Sequence, residues 1–464
     1  MIFGDKDTIA ALATPHGVGA IAVIRVTGTD SIKIADSIFK DKSGKNKDLS
    51  SKKGFTIHFG QIANEDQIIY EVLMSVFKSP RSYTGENMVE ISCHGSEYIQ
   101  QQILSLLYKT GCRPAHPGEF TLRAFLNGKF DLSQAEAVAD LIASNSGVSH
   151  QVAMQQMRGG FSNKIKTLRS NLIDFASLIE LELDFSEEDV EFANREDLKN
   201  LIIQIQQVLE KLIESFELGN VIKNGIPVAI VGKPNAGKST LLNTLLDDER
   251  AIVSEIPGTT RDTIEDELRV EGVLYRFIDT AGIRNTQDKI ERIGVNKALE
   301  TIGNAAIILY VFDAHAMSSA DLDLEIDQIR NHLKNGQLLI VANKIDEEDL
   351  EYLRKEFEGY ENLIFISAKE KLFIDDLKSK LVTLFDQRAI QVTETVVTNS
   401  RHVDALRKSN LSLYKVRDGL GKNISGELLA MDIRHALNLL GEITGEVSSD
   451  ELLANIFSRF CIGK

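Results

Sequence analysis

The string GKPNAGKST at Gly232–Thr240 constrains this chain more than any other stretch. Two glycines flanking four residues, then Lys238 and Ser239, form the P-loop pattern. A loop wraps a polyphosphate only if it turns its backbone N–H groups inward, and glycines at both ends permit that path. The helix opening at Lys238 adds the positive end of its dipole. Such a loop joins a buried strand to a helix, so the pattern predicts an α/β domain. Lys238 is expected at the β/γ-phosphates and the Ser239 hydroxyl on Mg²⁺, with Asn235, Ala236, Gly237 and Thr240 completing the cradle.

Four further motifs follow in order. Asp279-Thr280-Ala281-Gly282 ends the apolar run Tyr275–Ile278. There Asp279 would serve the Mg²⁺ shell and the Gly282 N–H would meet a γ-phosphate. Thr259 and Thr260, between the P-loop and Asp279, sit where a switch hydroxyl completes that shell. Asn343-Lys344-Ile345-Asp346 closes the run Leu338–Ala342. The Asp346 carboxylate suits guanine, which offers a ring N–H and an amine together; adenine lacks that donor pair. Ser367-Ala368-Lys369 follows Leu363–Ile366 and suits backbone contact to the guanine carbonyl. Five motifs in this order predict a GTP site.

A chain of 464 residues predicts about three domains. Residues 1–118 mix β-rich runs (Ala20–Val26, Gly54–Ile62, Glu71–Phe77, Met88–Ser92) with a helix over Ser96–Lys109, an α+β module. Residues 119–222 turn helical. Ser133 and Glu136 read as a capping box, and the apolar positions from Leu198 to Phe216 follow helical spacing. Residues 223–385 alternate strand and helix, with strands expected at Pro227–Val231, Tyr275–Ile278, Ala306–Phe312, Leu338–Ala342 and Leu363–Ile366. This predicts a doubly wound, mostly parallel sheet. Residues 386–464 are helical again, with a second capping box at Ser448 and Glu451. The fold class is therefore multidomain α/β: a P-loop GTPase domain inserted in an α-helical domain, after an N-terminal α+β domain.

The net charge of −16 argues against a broadly basic nucleic-acid surface. A ribosomal-RNA assembly GTPase would share the same motifs, but such proteins usually append a basic module, and none is visible. No run approaches the roughly 18 apolar residues of a membrane span. The N-terminus shows no secretory signal, and Cys93, Cys112 and Cys461 form no CxxC pair. A cytoplasmic protein without a membrane partner is expected.

Hydrolysis needs a group that orients water. Many small GTPases place a glutamine after the DxxG motif, but here Ile283 follows. Arg284, Glu291 and Arg292 are downstream candidates. A monovalent cation held by the Asn235 amide and carbonyls of the Val253–Thr259 loop would also supply positive charge. The alternative for Asn235 is a loop-tip turn residue.

The ordered motifs, the loop Ser254–Asp262 and above all the ending Phe460-Cys461-Ile462-Gly463-Lys464 resemble the bacterial tRNA-modification GTPase family MnmE, also called TrmE. The resemblance runs end to end and includes Tyr83-Thr84-Gly85-Glu86, Arg113-Pro114, Pro117-Gly118-Glu119-Phe120 and Arg123-Ala124-Phe125-Leu126-Asn127. It implies an N-terminal domain that binds a tetrahydrofolate and forms a homodimer. It also implies a flavoprotein partner, MnmG (GidA), and a tRNA whose wobble uridine is modified at C5. The carbon would come from 5,10-methylenetetrahydrofolate, for which 5-formyltetrahydrofolate is an analogue. On the same ground K⁺ falls to Asn235, Ser254, Ile256 and Thr259, Mg²⁺ to Ser239 and Thr260, and water orientation to Glu291. Folate contacts fall to Arg25, Glu90, Lys129 and Lys464. Cys461 remains open between a small core residue and a thiolate nucleophile or base.

Overall fold

The computed structural model describes residues 7–45, 47–64, 67–144, 146–184, 195–250, 266–278, 305–333, 336–347, 349–389, 395–422, 424–458 and 460–463. Two compact units emerge. The first comprises Met1–Ile142, Met154–Leu209 and Asp404–Lys464; the second comprises Ala143–Ala153 and Glu210–Val403.

In the first unit a seven-stranded sheet has the order β3-β4-β5-β6-β2-β1-β7. Its strands are β1 (Ile9–Leu12), β2 (Gly19–Thr27), β3 (Phe39–Lys40), β4 (Thr56–Asn64), β5 (Gln67–Phe77), β6 (Met88–Gly95) and β7 (Arg113–Pro114). Neighbours run antiparallel except β1 and β7. Alternation along β5 buries Val72, Met74 and Val76 against the helices Ser31–Ile38 and Glu97–Lys109. Each fully buried aliphatic side chain of this kind contributes roughly 1.5–3 kcal/mol. The opposite face leaves Ile21, Ile57, Phe59 and Leu73 exposed. The sheet face therefore has a covered side and an open side.

The helices of this unit lock together through long-range polar contacts. Arg169, on the helix Gly160–Asp184, donates to the Leu437 carbonyl at 3.2 Å and pairs with Glu446. Arg417 donates to the Gln206 side chain at 3.0 Å.

Both expected capping boxes lie out of register. The helix Leu132–Ala143 is opened by Asp131, whose carboxylate accepts from the Gln134 N–H at 3.0 Å. Gln134 returns the contact, its Oε1 accepting from the Asp131 N–H at 3.0 Å. Ser133 and Glu136 are inside that helix. An aspartate and a glutamine made the box because the helix opens two residues earlier than the Ser-x-x-Glu pattern suggests. Near the C-terminus the cap is Ser449, whose hydroxyl accepts from the Leu452 N–H at 3.2 Å; Ser448 stands one residue upstream.

The second unit holds a six-stranded sheet ordered β13-β12-β11-β8-β10-β9. Its strands are β8 (Ile226–Val231), β9 (Asp266–Val270), β10 (Val273–Phe277), β11 (Ile307–Asp313), β12 (Gln337–Asn343) and β13 (Leu363–Phe365). All pairs are parallel except the β9–β10 hairpin. On β11, Leu309 and Val311 face a core with Leu241, Leu245 and Leu377, while Ile308, Tyr310 and Phe312 face one with Leu322 and Ile326. Helical cover on both faces explains why the central strands read as continuous apolar runs. The doubly wound sheet expected from the sequence is present, with the hairpin β9–β10 as an antiparallel edge.

Candidate functional site

The P-loop occupies the turn between β8 and the helix Lys238–Arg250, at the carboxyl ends of the parallel strands. At Gly232, φ is +145° and an added Cβ would stand 1.9 Å from the Val311 carbonyl oxygen. No larger residue fits. Asn235, at φ +65°, forms the exposed loop tip, and Ala236 behind it is buried. Lys238 Nζ reaches the Gly232 and Lys233 carbonyls, each at 2.7 Å. Burial holds its ammonium pKa below the ordinary value. Ser239 is half-buried in the first helical turn and Thr240 beside it is exposed.

Asn343 joins the loops. Its Nδ2 donates to the Ala236 carbonyl at 2.8 Å, and its Oδ1 accepts from the Ala368 N–H at 3.0 Å. One buried amide thus fixes the P-loop to the Ser367–Ala368 loop. The side chain of Lys344, at φ +68°, pairs with Asp313 at 2.6 Å. Burial alone would raise the Asp313 carboxyl, yet the Lys344 contact and the His315 and Ala316 N–H groups together outweigh it and hold the pKa low. Asp346 is exposed in the short 3₁₀ turn Ile345–Glu347. Ser367 is fully buried and forms a bridge with Leu372. Thr244 and Asp313, which the motif reading missed, both support these loops.

Ser254, Ile256, Thr259, Thr260, Asp279, Thr280, Ala281, Gly282, Glu291 and Lys464 lie outside the described residues.

In the first unit Arg25 and Glu90 are cross-strand neighbours of β2 and β6. Arg25 donates to Glu90 Oε1 from Nε at 3.0 Å and pairs with it through Nη2 at 2.9 Å. Arg25 Nη1 donates to the Gly463 carbonyl at 3.3 Å. Its guanidinium also lies 5.0 Å from the Tyr83 ring centroid and 5.6 Å from that of Phe120. The chain terminus is therefore seated on this sheet. Gly463 is buried with φ +92°, and an added Cβ would stand 2.2 Å from the Leu12 carbonyl oxygen. The Gly118 N–H donates to the Cys461 carbonyl at 3.3 Å, while the Cys461 thiol side is exposed. Phe460 anchors the tail in an apolar cluster with Leu122, Leu132 and Phe457. Exposure removes the core-residue reading of Cys461.

Lys129 stands slightly apart. Its Nζ donates to the Pro80 carbonyl at 2.9 Å, with no contact to Arg25 or Glu90 among the described residues. Tyr83, beneath Arg25, lies 6.0 Å from the ring of Phe130, the neighbour of Lys129.

A charge network braces this region. Arg123 pairs with Asp7 at 2.7 Å, Glu119 at 3.0 Å and Glu86 at 3.3 Å. Arg113 pairs with Asp7 and Glu119, each at 2.6 Å. Glu119 is 1% exposed. Burial would raise its carboxyl, but the Arg113 bond and the His116 N–H hold it below the ordinary range. Asp7 is likewise held low, because Arg113 and Arg123 outweigh its desolvation. Through Glu86, Glu119 and Arg123 the network joins the TGE, PGEF and RAFLN motifs, with Asp7 and Arg113 between them.

Comparison with known proteins then identifies the chain. The profile of the MnmE helical domain matches residues 132–461, and that of the GTP-binding protein TrmE N-terminus matches residues 8–129. The chain belongs to the MnmE family of tRNA modification GTPases. It is an enzyme of the GTP-hydrolase class. The tRNA modification GTPase MnmE of Flavobacterium johnsoniae is 56% identical over 466 residues, covering 99% of this chain and 100% of the relative. Its counterpart in Flavobacterium psychrophilum is 55% identical, covering 99% of each chain. That of Bacteroides thetaiotaomicron is 51% identical, covering 99% of this chain and 100% of the relative. Among solved structures, Era in complex with MgGDPNP and a 16S ribosomal RNA segment matches 40% of this chain and 66% of its own, at 25% identity and a TM-score of 0.26. That overlap is too slight to carry an argument. Among the described residues no helix is long and apolar enough to cross a membrane.

Proposed function

We propose that this chain is a cytoplasmic, potassium-activated GTPase that works as a homodimer with a flavoprotein partner, MnmG (GidA). Together they add a carboxymethylaminomethyl or aminomethyl group to C5 of the wobble uridine of certain tRNAs. The observation that carries this reading is the docking of the Cys461–Gly463 tail beside the Arg25–Glu90 pair. It sets an exposed thiol and a charged, hydrogen-bonding cleft within one unit.

The donor set fits a reduced folate. Both Arg25 contacts go to Glu90 Oε1, and among the described residues this leaves Oε2 to accept from pterin N–H groups. Arg25, with Lys129 and Lys464, supplies positive charge for a folate carboxylate. Bound methylenetetrahydrofolate supplies the one-carbon unit. Cys461 would act as nucleophile or general base toward that unit. The open sheet face supports the dimer: Ile21, Phe59, Leu73, Tyr70 and His94 border a cavity of about 560 Å³ there.

In the nucleotide domain the Gly232–Thr240 loop cradles the phosphates and Lys238 neutralises them. Ser239 and Thr260, with Asp279, would hold Mg²⁺. The Asn235 side chain, exposed at the loop tip, fits an outward-facing K⁺ ligand beside Ser254, Ile256 and Thr259. Glu291 orients the attacking water, Thr280, Ala281 and Gly282 frame the γ-phosphate, and Asp346 with the Ser367–Lys369 loop reads guanine. We assign these roles to an N-terminal folate domain 1–118, a helical domain 119–222 and 386–464, and a G domain 223–385.

Replacing Cys461 with Ser tests the reading. Wobble-uridine modification should fall at least about a hundredfold while GTP turnover stays within about twofold. Normal modification would remove the thiol's assignment, and equal turnover in K⁺ and Na⁺ would discard the cation.

A further inference from the structure

One buried hydrogen bond lies behind the guanine-reading loop, and its donor belongs to none of the nucleotide motifs. Thr244, in the second turn of the helix that follows the P-loop, is 6% exposed. Its Oγ1 donates to the Ala368 carbonyl at 2.9 Å, across 124 residues of sequence. The Ala368 N–H is meanwhile taken by Asn343 Oδ1 at 3.0 Å. Both backbone groups of Ala368 are therefore fixed from opposite sides.

The consequence follows from peptide geometry. The Ala368 carbonyl and the Lys369 N–H belong to one planar trans unit and point in opposite directions. Thr244 draws the carbonyl inward, so the Lys369 N–H is turned outward, where Lys369 and Glu370 are exposed. With the Ala368 N–H drawn to Asn343 Oδ1, the Lys369 N–H stands as a further donor that a guanine O6 can meet. We propose that Thr244 is a positioning residue for guanine specificity, aiming the Lys369 N–H at O6 through the shared peptide plane. The inference rests on the reading of the Ser367–Lys369 loop as the guanine contact, and it deepens that reading.

The hydroxyl acts as a donor, so its removal has a defined signature. In Thr244→Val the shape is kept while the buried carbonyl loses its partner and the peptide is free to rotate. Binding of GDP and of 6-thioguanosine diphosphate, in which a poorer acceptor replaces O6, separates orientation from general support. The unmutated full-length chain should prefer GDP. In Thr244→Val GDP affinity should drop roughly five- to tenfold with the thio analogue almost unchanged, and Thr244→Ser should restore the preference. An equal loss for both nucleotides, or no loss for either, overturns the proposal. Should the valine variant fail to fold, selective ¹⁵N-lysine labelling of the unmutated chain decides. The Lys369 amide proton should move downfield with GDP and less with the thio analogue; an amide blind to that exchange overturns it. An unmutated chain that does not distinguish the two nucleotides sinks the loop reading itself, a result separable from a preference that survives Thr244→Val.

Discussion

Around the nucleotide loop the fixed points are mostly neutral, with the Lys344–Asp313 pair as a charged exception. A glycine lies against the Val311 carbonyl, the Asn343 amide spans two loops, and the Thr244 hydroxyl holds a third carbonyl. Around the C-terminal tail, beside the close Gly463 approach and the Phe460 cluster, the side-chain polar fixed points are charged: Arg25 with Glu90, and behind them Arg113 and Arg123 shared among Asp7, Glu86 and Glu119. Neutral bonds hold a loop without adding to the field that a polyphosphate must meet. A folate with its carboxylates calls for fixed cations, and fixed cations in a partly buried cleft need carboxylates to balance them. Under the proposed function, the charge of each ligand would account for the contrast between the two regions.

The sharpest way to break the neutral half is Gly232→Ala. The new Cβ would meet the Val311 oxygen at 1.9 Å on a backbone at φ +145°. Relief requires moving the loop, so GDP affinity should fall by about 3 kcal/mol or more, over a hundredfold. Thermal stability of the first unit should not change. Isothermal titration giving near-normal affinity would show that steric fixation is not what shapes this loop.

The charged half predicts a different failure. Arg123→Ala leaves Glu119 buried with one partner fewer, and should cost about 3–5 kcal/mol of stability while sparing GDP binding. The unfolding transition that GDP does not shift is the one to follow. Its pH dependence has a definite sign. Asp7 and Glu119 are held below their ordinary values in the folded state. Their contribution is therefore complete above the unfolded carboxylate range, about pH 4, and is lost as pH falls through the folded values. The gap between the unmutated chain and Arg123→Ala should narrow below about pH 4. A gap that widens on acidification would contradict the network.

How much of this was legible depended on range. Strands β8, β11 and β12 are buried on both faces, so their apolar runs stood out within a residue or two of the observed bounds. Strand β9, Asp-Glu-Leu-Arg-Val, alternates charged and buried positions as an edge strand and was passed over. So were the four-residue strand β1 and its parallel partner β7. The P-loop, Asn343 and Asp346 were readable because phosphate and guanine chemistry dictates short local patterns. Arg25 beside Glu90 was reachable only through family resemblance, because strand pairing, not spacing, joins residues 65 apart. Thr244 left no local signal at all. Its partner is 124 residues away, and a threonine in an apolar helix reads as ordinary packing.

The smallest predicted effect tests the foot of the tail. The helix Asp450–Phe457 delivers Phe460 and Cys461 to the sheet, and its first N–H groups need an acceptor. Ser449, with φ −106° and ψ 153°, has the extended backbone of an N-cap, and its hydroxyl accepts from Leu452 at 3.2 Å. Ser449→Ala should therefore cost about 1 kcal/mol, whereas Ser448→Ala should stay within about 0.5 kcal/mol. Both values are read from the same GDP-insensitive transition, so the charged network is common to the pair. If Ser448→Ala proves the costlier change, the helix begins one residue earlier and the tail's seat on β1 shifts with it. If neither matters, the tail is held by the Gly463 and Phe460 contacts alone, and the charged cleft rather than the helix sets where the thiol stands.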